Sequence, residues 1–111
     1  MSQQLDFWAP IEVLEHVKGE TLQQRFERFH ARNPHVYAAL VAIARRMVKA
    51  GKSRIGIKQI YEVLRYERLI YTRSDDGHRL NNNFTSRYAR LIIAQEADLS
   101  NVFETRELRA A

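Results

Sequence analysis

Cysteine is missing from all 111 residues, which excludes disulfide scaffolds, zinc fingers, iron–sulfur sites and thiol catalysis and leaves burial alone to hold the fold. Glycine occurs four times and proline twice, too few for a low-complexity or collagen-like chain. No run approaches the roughly 18 consecutive apolar residues of a membrane span, and Met1 to Pro10 lacks the basic start and apolar stretch of a secretory signal. A cytoplasmic chain without a membrane partner is therefore expected. Acidic residues are scarce in the middle third: Thr21 to Ile60 carries nine bases against Glu27, whereas Met1 to Glu20 sums to −3 and Tyr61 to Ala111 to zero. The net charge of +5 is thus concentrated where a phosphate-bearing or acidic partner would be met, the alternative being a solvated, solubilising face.

The length suits one domain and is too short for two ordinary ones. Three parts are expected: an arm over 1–20, a helical core over 21–95 and a tail over 96–111. The arm has one short helix at most, with Pro10 suited to its first turn and Gly19 to its stop. Thr21 and Gln24 form a capping-box pattern ahead of Leu22, Phe26 and Phe29, predicting a helix from about Leu22 to Ala31. Asn33 and Pro34 end it and start the next, with Asn33 as cap; Val36/Tyr37, Leu40/Val41, Ala44 and Met47/Val48 keep the period up to Gly51. Ile57, Ile60/Tyr61 and Leu64 define a third helix to about Glu67. Over 69–80, a β-prone Leu69-Ile70-Tyr71-Thr72, a turn at Ser74 to Gly77 and His78-Arg79-Leu80 fit a short β-hairpin or a plain loop. Asn81 to Asn83 supply caps for a fourth helix with a stripe of Phe84, Tyr88, Leu91 and Ile92 running to about Gln95. In the tail, Leu99, Val102, Phe103 and Leu108 are the expected core contacts.

Catalysis finds little support. There is no glycine-rich phosphate loop, no HExxH pair and no nucleophile elbow. His16, His30, His35 and His78 lack metal-ligand spacing and read as solvated or capping residues, while Asp75 and Asp76 read as turn formers beside Gly77. The expectation is a non-enzymatic protein with no catalytic, metal or cofactor site.

Binding groups are more evident. Arg45, Arg46 and Lys49 close the second helix and Lys52 and Arg54 follow in the loop, a positive cluster suited to phosphates or simply to the helix dipole. On the fourth helix Asn83, Ser86, Arg87 and Arg90 point away from the apolar stripe, a set able to reach phosphates and base edges. The helices from Pro34, Ile57 and Asn83 together resemble the three-helix core of winged helix-turn-helix domains. That resemblance implies a mainly α, small helical bundle in which Asn83, Ser86, Arg87 and Arg90 face the major groove, with phosphates held by Arg45, Arg46, Lys49, Lys52, Arg54 and Lys58. Roughly fifteen residues separate Glu67 from Asn83, however, where a compact helix-turn-helix has about three or four.

The segments Asn33 to Tyr37, Gly56 to Lys58 and Leu80 to Ile92 are similar to a group of small phage and prophage proteins with no assigned function, which implies a bacterial host cytoplasm. The resulting expectation is a DNA-binding protein, regulatory or architectural. The alternative is an inhibitor or adaptor that binds a host protein, with Phe7, Trp8, Tyr66 and Tyr71 as aromatic anchors. A symmetric homodimer would suit a palindromic site, with the arm as the segment suspected of forming it.

Overall fold

In the computed structural model, residues 6–73 and 75–103 are described. Thr21 starts the first helix, α1 (Leu22–Arg32), through a reciprocal capping box with Gln24. Asn33 separates it from α2 (Pro34–Lys49), and Gly51, with φ of +97°, turns the chain out of α2 in a conformation that side chains resist. A glutamine takes the capping role for α3 (Ile57–Tyr71), where Gln59 Oε1 accepts from the Gly56 amide at 3.0 Å. Two 3-10 turns, Gly77–Arg79 and Asn82–Phe84, lead into α4 (Thr85–Gln95), and a third, Ala97–Leu99, follows it. No helix among the described residues is long and apolar enough to cross a membrane.

α2 and α4 both pack on α3, and α1 packs on α2. Their apolar stripes meet in one core whose centre is aromatic: Phe26 of α1 stands edge-on to Tyr88 of α4 at 4.8 Å between ring centres, and Phe84 lies within 5.5 Å of both Phe26 and Phe29. Edge-to-face packing of this kind adds about 0.5–1.5 kcal/mol per pair to the area buried. Leu99 and Phe103 close the core from the tail, where Ile55 and Phe103 form a single parallel bridge. Leu108 lies outside the described residues.

Several sequence expectations change. The hairpin over 69–80 is not formed among the described residues, because Leu69, Ile70 and Tyr71 are the last turn of α3. What extends the helix is Arg68, four residues past Leu64 on the buried stripe and 1% exposed. Its guanidinium pairs in both directions with Asp76, Nε to Oδ1 and Nη2 to Oδ2 at 2.9 Å, and donates to the carbonyls of Phe7 and Ala9. Asp76, expected as a turn former, is thus a buried counter-ion that also accepts from the Ile11 amide.

The arm is therefore docked, and over its described residues it contains no helix. Ile11 enters the core at 1% exposure, Phe7 and Trp8 pack against it, and Trp8 meets Tyr71 at 5.3 Å. Asn33, expected as a side-chain cap for α2, makes no such bond. Fully buried, it instead accepts from the Glu12 amide at 2.7 Å and donates to the Glu12 carbonyl at 2.9 Å. The Val36 amide, which a side-chain cap would have met, donates instead to the Asn33 carbonyl at 3.0 Å, and the Asn33 side chain is left for the arm.

Candidate nucleic-acid interface

The chain turns into α4 through asparagines. Asn81 Oδ1 accepts from the Asn83 amide at 2.8 Å, and Thr85 Oγ1 donates to the Asn82 carbonyl at 3.1 Å. Thr85, Tyr88, Ala89 and Ile92 form the buried stripe of the helix. At 100° per residue the opposite arc holds Asn83, Ser86, Arg87, Arg90 and Ala94. Asn83 and Arg90 are exposed, Ser86 and Arg87 partly so. Arg87 is steadied from α1, its Nε donating to Gln23 Oε1 at 3.1 Å. Arg90 has no partner among the described residues.

Lys58, in the first turn of α3, is brought close to the start of α4. Tyr61 ties the two helices, its hydroxyl donating to the Asn81 carbonyl at 3.0 Å. Lys58, Tyr61, Glu62, Asn82, Asn83 and Thr85 then line a cleft of about 350 Å³. A wider open cleft of about 930 Å³ adjoins it, lined by Arg65, His78, Arg79 and Asn81 to Asn83. Arg65 braces this wall by donating to the Gly77 and Leu80 carbonyls at 3.1 and 2.7 Å, with its guanidinium 5.4 Å from the centre of the Tyr61 ring. Arg65 and Glu62 also form an ion pair along α3.

The basic end of α2 is electrostatically different. Arg45 donates to both Asp98 oxygens at 2.9 and 3.0 Å and to Glu96 at 2.8 Å; Arg46 grips Glu67 with two bonds of 3.0 and 2.8 Å. Both guanidiniums are exposed, but their charge is met within the chain. Lys49, Lys52 and Arg54 are exposed beyond them. The predicted residues thus separate into a set grouped at the start and outer face of α4 (Asn83, Ser86, Arg87, Arg90 and Lys58), a paired couple (Arg45 and Arg46), and three exposed bases at the end of α2 and in the next loop.

Sequence reasoning missed Arg65, Arg79, Asn81 and Asn82, which enlarge the polar surface at the start of α4. A signal was present: Gly77 to Gln95 contains three arginines and no acid. The histidines also need correction. His35 is buried, and His30 packs in the aromatic core against Phe26, Tyr37 and Tyr88, so neither is a solvated residue. His16 and His78 are exposed; Arg25 bonds to His16 Nδ1 at 2.9 Å. Among the described residues no three His, Asp or Glu side chains converge as a metal site requires. No protein-family model, curated protein or solved structure matches the chain.

Proposed function

We propose that this chain binds duplex DNA without catalysing a reaction, using the outer face of α4 as its reading surface, in a regulatory or architectural role. The observation that carries the reading is electrostatic. The acid-free segment Gly77 to Gln95 carries Asn83, Ser86, Arg87 and Arg90 on one outward arc, backed by the buried stripe of Thr85, Tyr88, Ala89 and Ile92. Arginine can donate two bonds to a guanine edge, and asparagine can do the same to adenine, so this arc has the chemistry of direct readout. The 11-residue helix is about 16 Å long, which suits a major groove.

The remaining bases supply affinity rather than sequence reading. Lys58 stands beside the start of α4, where the helix dipole also favours phosphate. Lys52 and Arg54 precede it in the loop that leads into α3. Packing of α2 and α4 against α3 supports a trihelical arrangement of the helix-turn-helix kind, with a longer connection from Thr72 to Phe84 and no wing among the described residues.

The test is fluorescence anisotropy of a labelled random-sequence duplex at several salt concentrations. Binding should weaken linearly in a log–log plot against salt, and Arg87→Ala with Arg90→Ala should reduce the slope by about 2 while leaving helical content unchanged. An unchanged slope and affinity in the double variant would overturn the assignment of α4. Absence of binding at low salt would overturn DNA as the partner and favour a protein target.

A further inference from the structure

One cleft plays no part in that reading. The wider opening of about 930 Å³ lies between the arm, the Gly77–Arg79 turn and the asparagines that precede α4, and it has the size of a small-molecule site. Hydrogen-bond accounting along its wall gives a one-sided result. The Gly77 and Leu80 carbonyls accept from Arg65, the Asn81 carbonyl from Tyr61 and the Asn82 carbonyl from Thr85. Asn81 Oδ1 accepts from the Asn83 amide, and Asn82 Oδ1 from Arg65 Nη2. Those two partners can only donate, so each side-chain amide has one orientation, and its Nδ2 end has no partner among the described residues. Each of these acceptors is engaged, while donors are left over.

The charge has a matching sign. No acid is among the described residues that line the cleft, whereas Arg65 and Arg79 are. Glu62, which pairs with Arg65, lines the adjoining cleft instead. Arg79 is exposed and is steadied by donating through Nη1 to the Ile11 carbonyl at 3.1 Å, which leaves its other nitrogens open. His78 Nδ1 is tied to the Asp75 carbonyl at 3.0 Å. From the arm, Val13, 61% exposed, gives the cleft one apolar side.

We propose that this cleft binds the phosphate of a nucleotide, either free in solution or within a nucleic-acid strand. An ionised phosphate oxygen accepts bonds and carries the charge that Arg79 opposes, so it fits a wall whose open valences are the Nδ2 groups of Asn81 and Asn82 and a guanidinium. Bonds of this charge-assisted kind are about twice as strong as neutral ones. The cleft is larger than a phosphate alone needs, and Val13 offers the apolar contact that a sugar or base takes. Binding of a free nucleotide here requires nothing of the outer face of α4.

Asparagine side-chain amides give their own ¹⁵N–¹H signals, so titration of the labelled full chain with adenosine monophosphate to about 5 mM reads the site directly. The Nδ2 signals of Asn81 and Asn82 should move, and adenosine should leave them in place. Asn81→Asp and Asn82→Asp each keep the oxygen that holds the Asn83 amide or Arg65 and replace only the open donor. The circular dichroism spectrum should therefore stay unchanged while Kd for the phosphate ligand rises at least about tenfold. Titrating the same variants with a short duplex separates the two sources: a duplex affinity reduced in step assigns the cleft to a strand phosphate, and an unchanged one to the free nucleotide. Signals unmoved by adenosine monophosphate and by duplex alike would overturn the proposal, as would affinity for both ligands indifferent to the two aspartates. A response to adenosine or to inorganic phosphate as strong as that to the nucleotide would overturn the nucleotide as its ligand.

Discussion

Replacing Arg68 by alanine should be among the most damaging single changes to this fold. The side chain is 1% exposed and its guanidinium ties α3 to two segments, to Asp76 through two bonds of 2.9 Å and to the arm through the Phe7 carbonyl at 3.1 Å and the Ala9 carbonyl at 2.9 Å. Removing it strands the Asp76 carboxylate, itself 2% exposed, with the Ile11 amide as its remaining buried donor. Breaking a buried pair from one side costs about 3–5 kcal/mol, a large part of the roughly 5–15 kcal/mol that stabilises a domain. Alanine is a better helix former than arginine, so local propensity cannot account for the loss. Burial alone would push the Asp76 carboxyl up, but bonds from Arg68 and the Ile11 amide, with the charges of Arg68 and Arg79, hold it below its ordinary 3.8. Its contribution is therefore complete above that value and disappears as the pH falls through the lower folded value. Thermal and urea unfolding at pH 7 measure the effect, with a fall in Tm of roughly 10–25 °C expected for a chain of this size. Arg68→Met with Asp76→Asn should cost clearly less than the two single changes added. A loss under about 1 kcal/mol for Arg68→Ala would refute the view that this pair anchors the arm.

Asn33→Ala should cost about 2–4 kcal/mol in urea unfolding, since it leaves the amide and carbonyl of Glu12 without their buried partner; a loss of the few tenths typical of a surface residue would show that the arm is not held there. His30 is pushed below its ordinary 6.5 by burial, and His35 by burial and the Arg68 charge, which together outweigh the Ala9 carbonyl and the charges of Asp6 and Asp76. The unfolded chain therefore takes up more protons than the folded one as pH falls through 6.5, so Tm should drop between pH 7.5 and 5. His30→Phe, which also removes an unpartnered buried Nδ1, should lessen that drop, whereas a Tm independent of pH over this range would contradict it. Arg45→Ala with Arg46→Ala should leave the salt slope of DNA binding unchanged, because Glu96, Asp98 and Glu67 already meet those charges; a slope reduced by about 2 would return them to the interface.

The helices were legible where apolar residues keep their period. α2 and α4 end within a residue of expectation, and the capping box of α1 and the positive φ of Gly51 follow from residue types with few alternatives. α3 outran its reading by four residues because periodicity counts only apolar positions, and Arg68 occupies a stripe position as an ion. The β-prone run Leu69 to Tyr71 then encouraged a hairpin that helix continuation overrode. Phe7, Trp8 and Ile11 are apolar enough to suggest that the arm docks, but how it is held was not legible, for a related reason: its partners, Arg68, Asp76 and Asn33, are polar residues distant in sequence that act on backbone groups. For the site, the outward arc of α4 could be read from spacing alone. Neutralisation of Arg45 and Arg46 could not, since their acids lie some fifty residues away or on another helix.

The most direct measurement is a titration of ¹⁵N-labelled protein with a short duplex, followed by amide chemical shifts. The account predicts salt-sensitive shifts concentrated between Asn81 and Ala94 and at Lys58, with Arg90 among the largest, while Tyr66 to Tyr71 remains unmoved. Shifts centred on Arg45 to Lys49, or on the exposed face of α3, or on no part of the molecule at low salt, would contradict the claim that α4 is the reading surface.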